Sequence, residues 1–194
     1  MKPHTINAIC QKILNTYGDI QFESDYQIPR RIDQSILKEF GFGYIGKGAS
    51  RIAFGNNHYV IKIGNPDDNA KEISACITLD RHPELKYTKV PIFKYIELSN
   101  SLSINITARC RKPRWPISFN HKLRQIHETF RLFYADSNER NIGMFGDSLV
   151  MLDLNYPYAV DPDKQYVDKW KSLINFEAHK QAYDARVNKL KLVA

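Results

Sequence analysis

Three oxygen-bearing side chains in the second half of the chain form a pattern suited to phosphoryl transfer. Asp136 and Asn141 bound the hexapeptide D-S-N-E-R-N, and Asp153 follows at the end of a predicted hairpin. Carboxylate and amide oxygens are ligands that Mg²⁺ accepts, so Asn141 and Asp153 are candidate metal ligands. Asp136 is then available to accept the proton of an attacking hydroxyl group. A lone D-x-x-x-x-N segment is common by chance, so the hypothesis depends on a second signal upstream.

That second signal is a glycine-rich turn, Gly46-Lys47-Gly48-Ala49-Ser50, between two predicted strands. Two glycines with small neighbours let the backbone approach a phosphate and offer N–H groups to its oxygens. The turn is equally compatible with a plain glycine hairpin that binds nothing. Taken with Asp136, Asn141 and Asp153, it predicts the other half of a nucleotide site.

A lysine inside an apolar β-segment strengthens this hypothesis. Lys62 follows Tyr59-Val60-Ile61, where a cation is costly unless it meets an anion or points to water from an edge strand. Glu72, in a predicted helix over 68–79, is the candidate anion. An ion pair between Lys62 and Glu72 would direct the ammonium group towards phosphates.

Hydrophobic periodicity and turn residues predict an α+β chain with an antiparallel sheet and a helix on one face. Five strands are expected, the first ending near residue 46 and the others over 51–55, 58–63, 89–97 and 101–109. The turn at Gly55-Asn56-Asn57 is expected to need positive φ. Further expectations are a hairpin over 142–153 and helices over 4–17, 118–133 and 163–190. The helix over 68–79 is expected to bury Ile73, Cys76, Ile77 and Leu79, and the polar segment 181–191 to project or dock on a partner.

Net charge, cysteine count and the length of apolar runs bear on which partners and which cellular compartment the protein has. The net charge is +7, and the densest basic patch runs from Arg109 to Trp115. Solvated charge, a nucleic-acid surface and an acidic protein partner all remain open for this patch. Three widely spaced cysteines fit a reducing cytoplasm, and the apolar runs are too short for a signal peptide or a membrane-spanning helix.

Taken in order, these segments resemble the protein kinase superfamily. Gly46-x-Gly48 followed by Phe54 resembles the glycine-rich loop, and Val60-Ile61-Lys62 resembles the strand lysine that contacts phosphates. Glu72 resembles its helix partner, Asp136 to Asn141 the catalytic loop, and Asp153 the metal-binding aspartate of D-F-G. The segments G-x-G…V-I-K-I-G and D-x-x-x-x-N-I-G are similar to those of small serine/threonine kinases of tailed bacteriophages.

The resemblance implies a bilobal, kinase-like fold that uses ATP and Mg²⁺. It implies an N-terminal helical extension over 1–40 and an N-lobe over 41–112, with a five-stranded antiparallel sheet plus one helix. A strongly reduced C-lobe over 113–194 would carry the catalytic loop and a C-terminal helix. The resemblance gives catalytic roles to Asp136, Lys62 and Glu72. The residues implied to bind ATP are Gly46, Lys47, Gly48, Ala49, Ser50 and Lys62, and Asn141 and Asp153 are the implied metal ligands.

Several residues depart from the family pattern. Arg51 replaces the third glycine of the loop, Tyr134-Ala135 replaces the His-Arg before the catalytic aspartate, and Asn155 replaces the glycine of D-F-G. Three functions therefore remain open. The first is phosphoryl transfer to a host protein in the host cytoplasm, and the second is a pseudokinase-like module that inhibits or modulates a host protein. The third is basic nucleic-acid binding.

Overall fold

A computed structural model describes residues 1–22, 24–112, 141–153 and 164–192. Within these ranges the protein is α+β, with a five-stranded antiparallel sheet, a two-stranded hairpin and five α-helices. The predicted helix over 118–133 and the predicted base Asp136 lie outside the described residues. In the part of the chain described, no helix is both long and apolar enough to cross a membrane.

The helices and strands follow the order of the sequence pattern. The helices are α1 (Pro3–Tyr17), α2 (Ile28–Arg31), α3 (Pro66–Asp80), α4 (Lys164–Leu173) and α5 (Phe176–Leu192). The strands are β1 (Gly43–Lys47), β2 (Arg51–Gly55), β3 (Tyr59–Gly64), β4 (Ile92–Glu97), β5 (Ser103–Ala108), β6 (Ile142–Phe145) and β7 (Ser148–Met151). The large sheet has the order β1-β2-β3-β5-β4, and β6 pairs with β7. The predicted five-stranded antiparallel sheet is confirmed, with β3 at its centre.

The described chain divides into two compact units. The first comprises Met1–Ala70, Pro91–Arg109 and the end of the chain from Lys189, so it contains α1 and the whole five-stranded sheet. The second comprises Lys71–Val90 and Cys110–Asn188, and it contains the β6–β7 hairpin and α4. Helix α3 begins in the first unit and ends in the second.

The first unit is built on alternate apolar residues of its strands. Residues on one face of the sheet are at most 2% exposed: Ile52, Phe54, Ile61, Ile63, Ile104 and Ile106. Helix α1 buries Ile6, Ile9 and Ile13, which is the stripe that the helical spacing predicts.

The turn between β2 and β3 forms where predicted but by another mechanism. Asn56 Oδ1 accepts the backbone N–H groups of His58 and Tyr59 at 2.8 Å each, and Asn56 N–H donates to Tyr59 O at 3.0 Å. Gly55 has no positive φ, nor does any described non-glycine residue. The expectation of positive φ was wrong because the Asn56 side chain closes the turn instead.

Helix α3 begins two residues before the predicted start, and its buried face includes the predicted Cys76 and Leu79 but differs in part from the expected one. Asn65 Oδ1 accepts the Asp68 N–H at 2.6 Å, and Pro66 opens the helix, as expected for a capped N-terminus. The buried side carries Asn69, Glu72, Ala75, Cys76 and Leu79. The expected burial of Ile77 was wrong, since this residue is 51% exposed.

In the second unit the long C-terminal helix expected over 163–190 is interrupted. Asn175 lies between α4 and α5, and its Oδ1 accepts the Ala178 N–H at 3.3 Å, as a helix N-cap does. Helix α5 buries His179 and Tyr183, and Tyr183 donates its hydroxyl to Lys89 O at 3.1 Å. The expectation that this segment projects was therefore wrong, because α5 packs within its own chain.

Candidate functional site

The register of the sheet aligns the predicted phosphate-binding turn with Lys62, the lysine predicted to contact phosphates. Gly46 of β1 pairs with Ala53 of β2, and Ala53 pairs with Lys62 of β3. Directly paired residues of antiparallel strands share a face, and two strand spacings separate backbones by about 10 Å. Gly46, Ala53 and Lys62 thus form one row on one face, with only a methyl group between the glycine and the lysine.

The glycines of the turn are not required by the protein's own packing. A Cβ added at Gly46 would meet nothing within 4 Å, and one added at Gly48 would only reach Arg51 O at 4.0 Å. Neither residue has positive φ. Gly43, earlier in β1, is open in the same way. At the predicted phosphate turn, the open space at Gly46 and Gly48 is what a ligand approaching the backbone needs.

At other glycines of the first unit, a larger residue would collide with a neighbouring side chain. A Cβ at Gly55 would lie 2.4 Å from Ile45 Cδ1, and a Cβ at Gly64 would lie 2.5 Å from Arg51 Cγ. In the second unit, a Cβ at Gly143 would lie 2.6 Å from Leu152 Cδ2. By contrast, the Cα atoms of Gly46 and Gly48 face open space, as does that of Gly43.

Lys62 does not lie on an edge strand. It is half-buried on β3, the central strand, with Ala53 on one side and Asn105 on the other. The alternative that an edge-strand lysine simply points to water is therefore wrong. A cation at the centre of a sheet requires a polar environment.

That environment includes a buried polar cluster that the sequence analysis missed. Asn69, Ser103 and Asn105 are fully buried. Asn69 Nδ2 donates to Ser103 Oγ at 2.8 Å, Asn105 Nδ2 donates to Asn69 O at 3.2 Å, and Ser103 Oγ donates to Asn65 O at 2.9 Å. The available signal was the alternation of Ser103, Asn105 and Thr107 with apolar residues in β5, which marks a polar face on a buried strand.

Glu72 belongs to the second unit and is fully buried on the inner face of α3. A buried carboxylate is costly without polar partners, so Glu72 requires hydrogen-bonding or charged groups around it. Asn69 lies one turn earlier on the same face of the helix, since residues three apart are neighbours on a helix surface.

The two predicted metal ligands flank the open end of the β6–β7 hairpin. Gly146 makes the turn with φ of 63°, and Ile142 pairs with Met151. One residue further, Asn141 O accepts the Leu152 N–H at 2.7 Å, which places Asn141 beside the chain that leads to Asp153. Both ligands lie just outside the strands, so strand alternation does not fix the directions of their side chains.

The backbones of the two predicted metal ligands are therefore close, and an amide and a carboxylate are oxygen ligands that Mg²⁺ accepts. The predicted base, Asp136, lies outside the described residues. Within the ranges that the structure describes, no three His, Cys, Asp or Glu side chains form a metal-binding cluster. The glycine turn and Lys62 belong to the first unit, whereas Asn141 and Asp153 belong to the second.

One residue of the basic patch, Arg111, contacts the turn of the β6–β7 hairpin. Arg111 donates through Nη2 to Gly146 O at 3.0 Å and lies 3.6 Å from an Asp147 carboxylate oxygen. Both side chains are exposed, so the ion pair contributes little stability. Lys112 is also exposed, and residues 113–115 lie outside the described residues.

Burial changes the acidity of three groups away from the candidate site. It raises the pKa of the Tyr59 hydroxyl and strongly raises that of Tyr183. It lowers the pKa of His179, although a hydrogen bond to Tyr87 O opposes this shift. These groups are uncharged near neutral pH and serve as hydrogen-bonding groups.

No protein-family model matches the chain, and no curated protein sequence matches it significantly. The assignment of the candidate site therefore rests on the chemistry of the site's own residues. A backbone turn open to a ligand and a half-buried cation lie on one sheet face in the first unit. A carboxylate and an amide flank one hairpin in the second. The first set is suited to binding a phosphate group, and the second set is suited to binding a divalent cation.

Proposed function

We propose that the protein is an ATP- and Mg²⁺-dependent phosphotransferase with a kinase-like, bilobal fold. Gly46 to Ser50 would cover the phosphates of ATP, and Lys62 would contact them with Glu72 as its partner. Asn141 and Asp153 would hold Mg²⁺, which neutralises charge on the phosphate oxygens. Asp136 would orient the attacking hydroxyl group and accept its proton.

The row Gly46–Ala53–Lys62 is the observation that supports the proposal most strongly. It aligns an open glycine with a cation across three strands. A plain glycine hairpin on an edge strand explains the open space at Gly46 and Gly48, but it does not explain a lysine on the central strand. A phosphate lying over Ala53 accounts for both features, because it needs close backbone approach and a positive charge.

A thermal-shift titration with ATP and Mg²⁺ tests the nucleotide site. The wild type is expected to be stabilised, by about 2.7 kcal/mol when ATP is at a hundred times its dissociation constant. Lys62→Ala should abolish the shift. Lys94→Ala is the matched control, because Lys94 is an exposed lysine on β4 of the same sheet. No shift in the wild type would reject the nucleotide site and favour the pseudokinase-like module that binds a host protein.

A radiolabelled phosphate-transfer assay tests the catalytic role of Asp136. Asp136→Ala should lower turnover by about 10²–10⁴-fold while ATP binding is retained, since general-base catalysis has that magnitude. Asp153→Ala should lower Mg²⁺-dependent activity, whereas Asp147→Ala, in the exposed turn of the same hairpin, should not. Equal turnover in Asp136→Ala and wild type would refute the assigned role.

The proposed acceptors are serine and threonine hydroxyl groups of host proteins, on the basis of the resemblance to small bacteriophage kinases. Phosphoproteomics of bacteria that express the wild type or Asp136→Ala would identify them. Sites phosphorylated only with the wild type are expected. A nucleic-acid role would instead appear as salt-sensitive binding that weakens in Arg109→Ala, Arg111→Ala and Lys112→Ala.

A further inference from the structure

Arg51 directly follows the glycine turn and is only 9% exposed. It pairs in register with Gly64 of β3. A Cβ added at Gly64 would lie 2.5 Å from Arg51 Cγ and 3.3 Å from Arg51 Cδ. The aliphatic part of the arginine side chain therefore crosses directly over Gly64, and only glycine leaves room for it.

The backbone of the turn is fixed at the same place. Gly48 N–H donates to Arg51 O at 2.8 Å, which closes the turn on the first residue of β2. Ser50 O, at the end of the turn, lies 3.3 Å from where a Cβ of Gly64 would be. Gly64 thus accommodates both the arginine stem and the last carbonyl group of the turn.

We propose that Arg51 and Gly64 form a clamp that holds the Gly46–Ser50 turn in one preformed geometry for phosphate binding. Arg51 is then a positioning residue that acts through its aliphatic stem and its backbone carbonyl. The inference rests on the proposed function for the identity of the ligand. A turn fixed before binding loses less conformational entropy when the ligand arrives, and this favours affinity.

The alternative to the clamp is that Arg51 acts through its positive charge. Arg51 shares a sheet face with Lys62, because Gly64 and Lys62 are two residues apart on β3 and Arg51 lies over Gly64. Its guanidinium group would then be a direct phosphate ligand. The clamp and this direct contact differ in one respect, since the clamp needs the stem and the direct contact needs the charge.

Five variants separate these roles. Gly64→Ala displaces the stem and keeps the charge, whereas Arg51→Met keeps an unbranched apolar stem and removes the charge. Gly43→Ala is the matched glycine control, because an added Cβ there meets nothing within 4 Å. Gly64→Ala combined with Arg51→Ala relieves the steric conflict and completes a double-mutant cycle with the two single alanine variants.

Two measurements are made on each folded variant. Hydrogen exchange of the Gly48 amide, in protein without ligand, reports closure of the turn. Calorimetry with ATP, and with adenosine as a ligand that lacks phosphates, reports the consequence for binding. Gly64→Ala is expected to speed Gly48 exchange and to weaken ATP binding by about tenfold each, within the range of coupling between contacting residues. Adenosine affinity should be unchanged.

In Gly43→Ala and Arg51→Met both measurements should stay within about twofold of the wild type, below the coupling expected of contacting residues. In the Arg51→Ala background, Gly64→Ala should have no further effect, which keeps the inference testable if Gly64→Ala alone does not fold.

Unchanged Gly48 exchange in folded Gly64→Ala would overturn the clamp. So would a loss of ATP affinity in Arg51→Met as large as that in Gly64→Ala. If the wild type does not bind ATP while Gly48 exchange responds as expected, the clamp is supported and the nucleotide assignment fails.

Discussion

At the scale of single residues, buried polar side chains are held by specific partners. His179 is 7% exposed, with Nε2 2.9 Å from Tyr87 O and its ring edge-on to Trp170 at 5.7 Å between centroids. The neutral ring can donate from Nε2 to this carbonyl group. Burial makes the charged form unfavourable and lowers the pKa of His179.

This shift predicts a loss of stability on mild acidification. Because the pKa of His179 is lower in the folded state, its contribution is complete above the unfolded-state value of about 6.5. The contribution decreases as pH falls from there to the folded pKa, since the unfolded chain binds the proton first. Urea unfolding between pH 7.5 and about 5 should therefore show a steeper decline for wild type than for His179→Gln.

His4→Gln is the control for this experiment, because His4 is exposed on α1 and should leave the pH profile unchanged. Parallel stability curves for the wild type and His179→Gln would contradict the assignment.

Individual residues can be singled out from the sequence more readily than residue pairs. Lys62 is conspicuous because it interrupts an apolar strand, and Glu72 was identified by its position on a helix. The Arg51–Gly64 contact was not predictable, because it depends on the register of β2 against β3 and on the path of one side chain. The Asn69–Ser103–Asn105 cluster was missed for the same reason, since the residues come from a helix and a strand more than thirty positions apart.

At the scale of elements, side chains rather than glycines close several turns and helix ends. Asn56 closes the β2–β3 turn, Asn65 caps α3, and Asn175 separates α4 from α5. In each case an asparagine oxygen accepts a backbone N–H group that would otherwise lack a partner within the turn or helix.

The β2–β3 turn offers a direct test of this mechanism. Asn56→Ala removes the acceptor for the His58 and Tyr59 N–H groups and should lower the free energy of unfolding by about 1 kcal/mol. Asn56→Asp keeps the acceptor and should restore most of that loss. Chemical denaturation followed by circular dichroism measures both. Asn57→Ala, at the exposed neighbouring position, should change stability by less than about 0.5 kcal/mol. An equal effect at the two positions would show that the Asn56 contact is unimportant.

Strand positions were predicted well because turn residues bracket short alternating segments. The faces of α3 were predicted less well, since the buried side includes Asn69 and Glu72 while Ile77 is exposed. Periodicity assumes that apolar residues are inside, and it fails where a helix buries polar groups. The continuous helix over 163–190 was predicted because the apolar spacing continues past Asn175, whose capping role depends on local backbone geometry.

At the scale of the whole molecule, the chain folds as two compact units, and residues distant in sequence complete the first of them. Tyr59, at the start of the strand that carries Lys62, donates its hydroxyl to Leu190 O at 3.2 Å. The Met1 amino group donates to the same hydroxyl at 2.8 Å. Tyr59 is 5% exposed, and its bond to Leu190 O is buried, whereas the bond from Met1 is partly buried.

Tyr59→Phe is expected to lower the free energy of unfolding by about 1 kcal/mol, the usual net contribution of a buried hydrogen bond. Tyr26→Phe is the control, because Tyr26 is 61% exposed. Equilibrium denaturation of both variants measures the difference. Stability equal to wild type in Tyr59→Phe would mean that the end of α5 is held by apolar packing alone.

The bond between Tyr59 and Leu190 spans 131 residues of sequence, and this has a consequence for folding during translation. The ribosome releases the five strands of the sheet long before Leu190 emerges, so this contact of the sheet must form after nearly all of the described chain is made. Loop closure over such a distance is slow compared with local hairpin formation. The sheet that carries the proposed phosphate site is therefore expected to reach its final packing only after synthesis of α5, and a nascent chain stalled before that helix should have a less stable first unit.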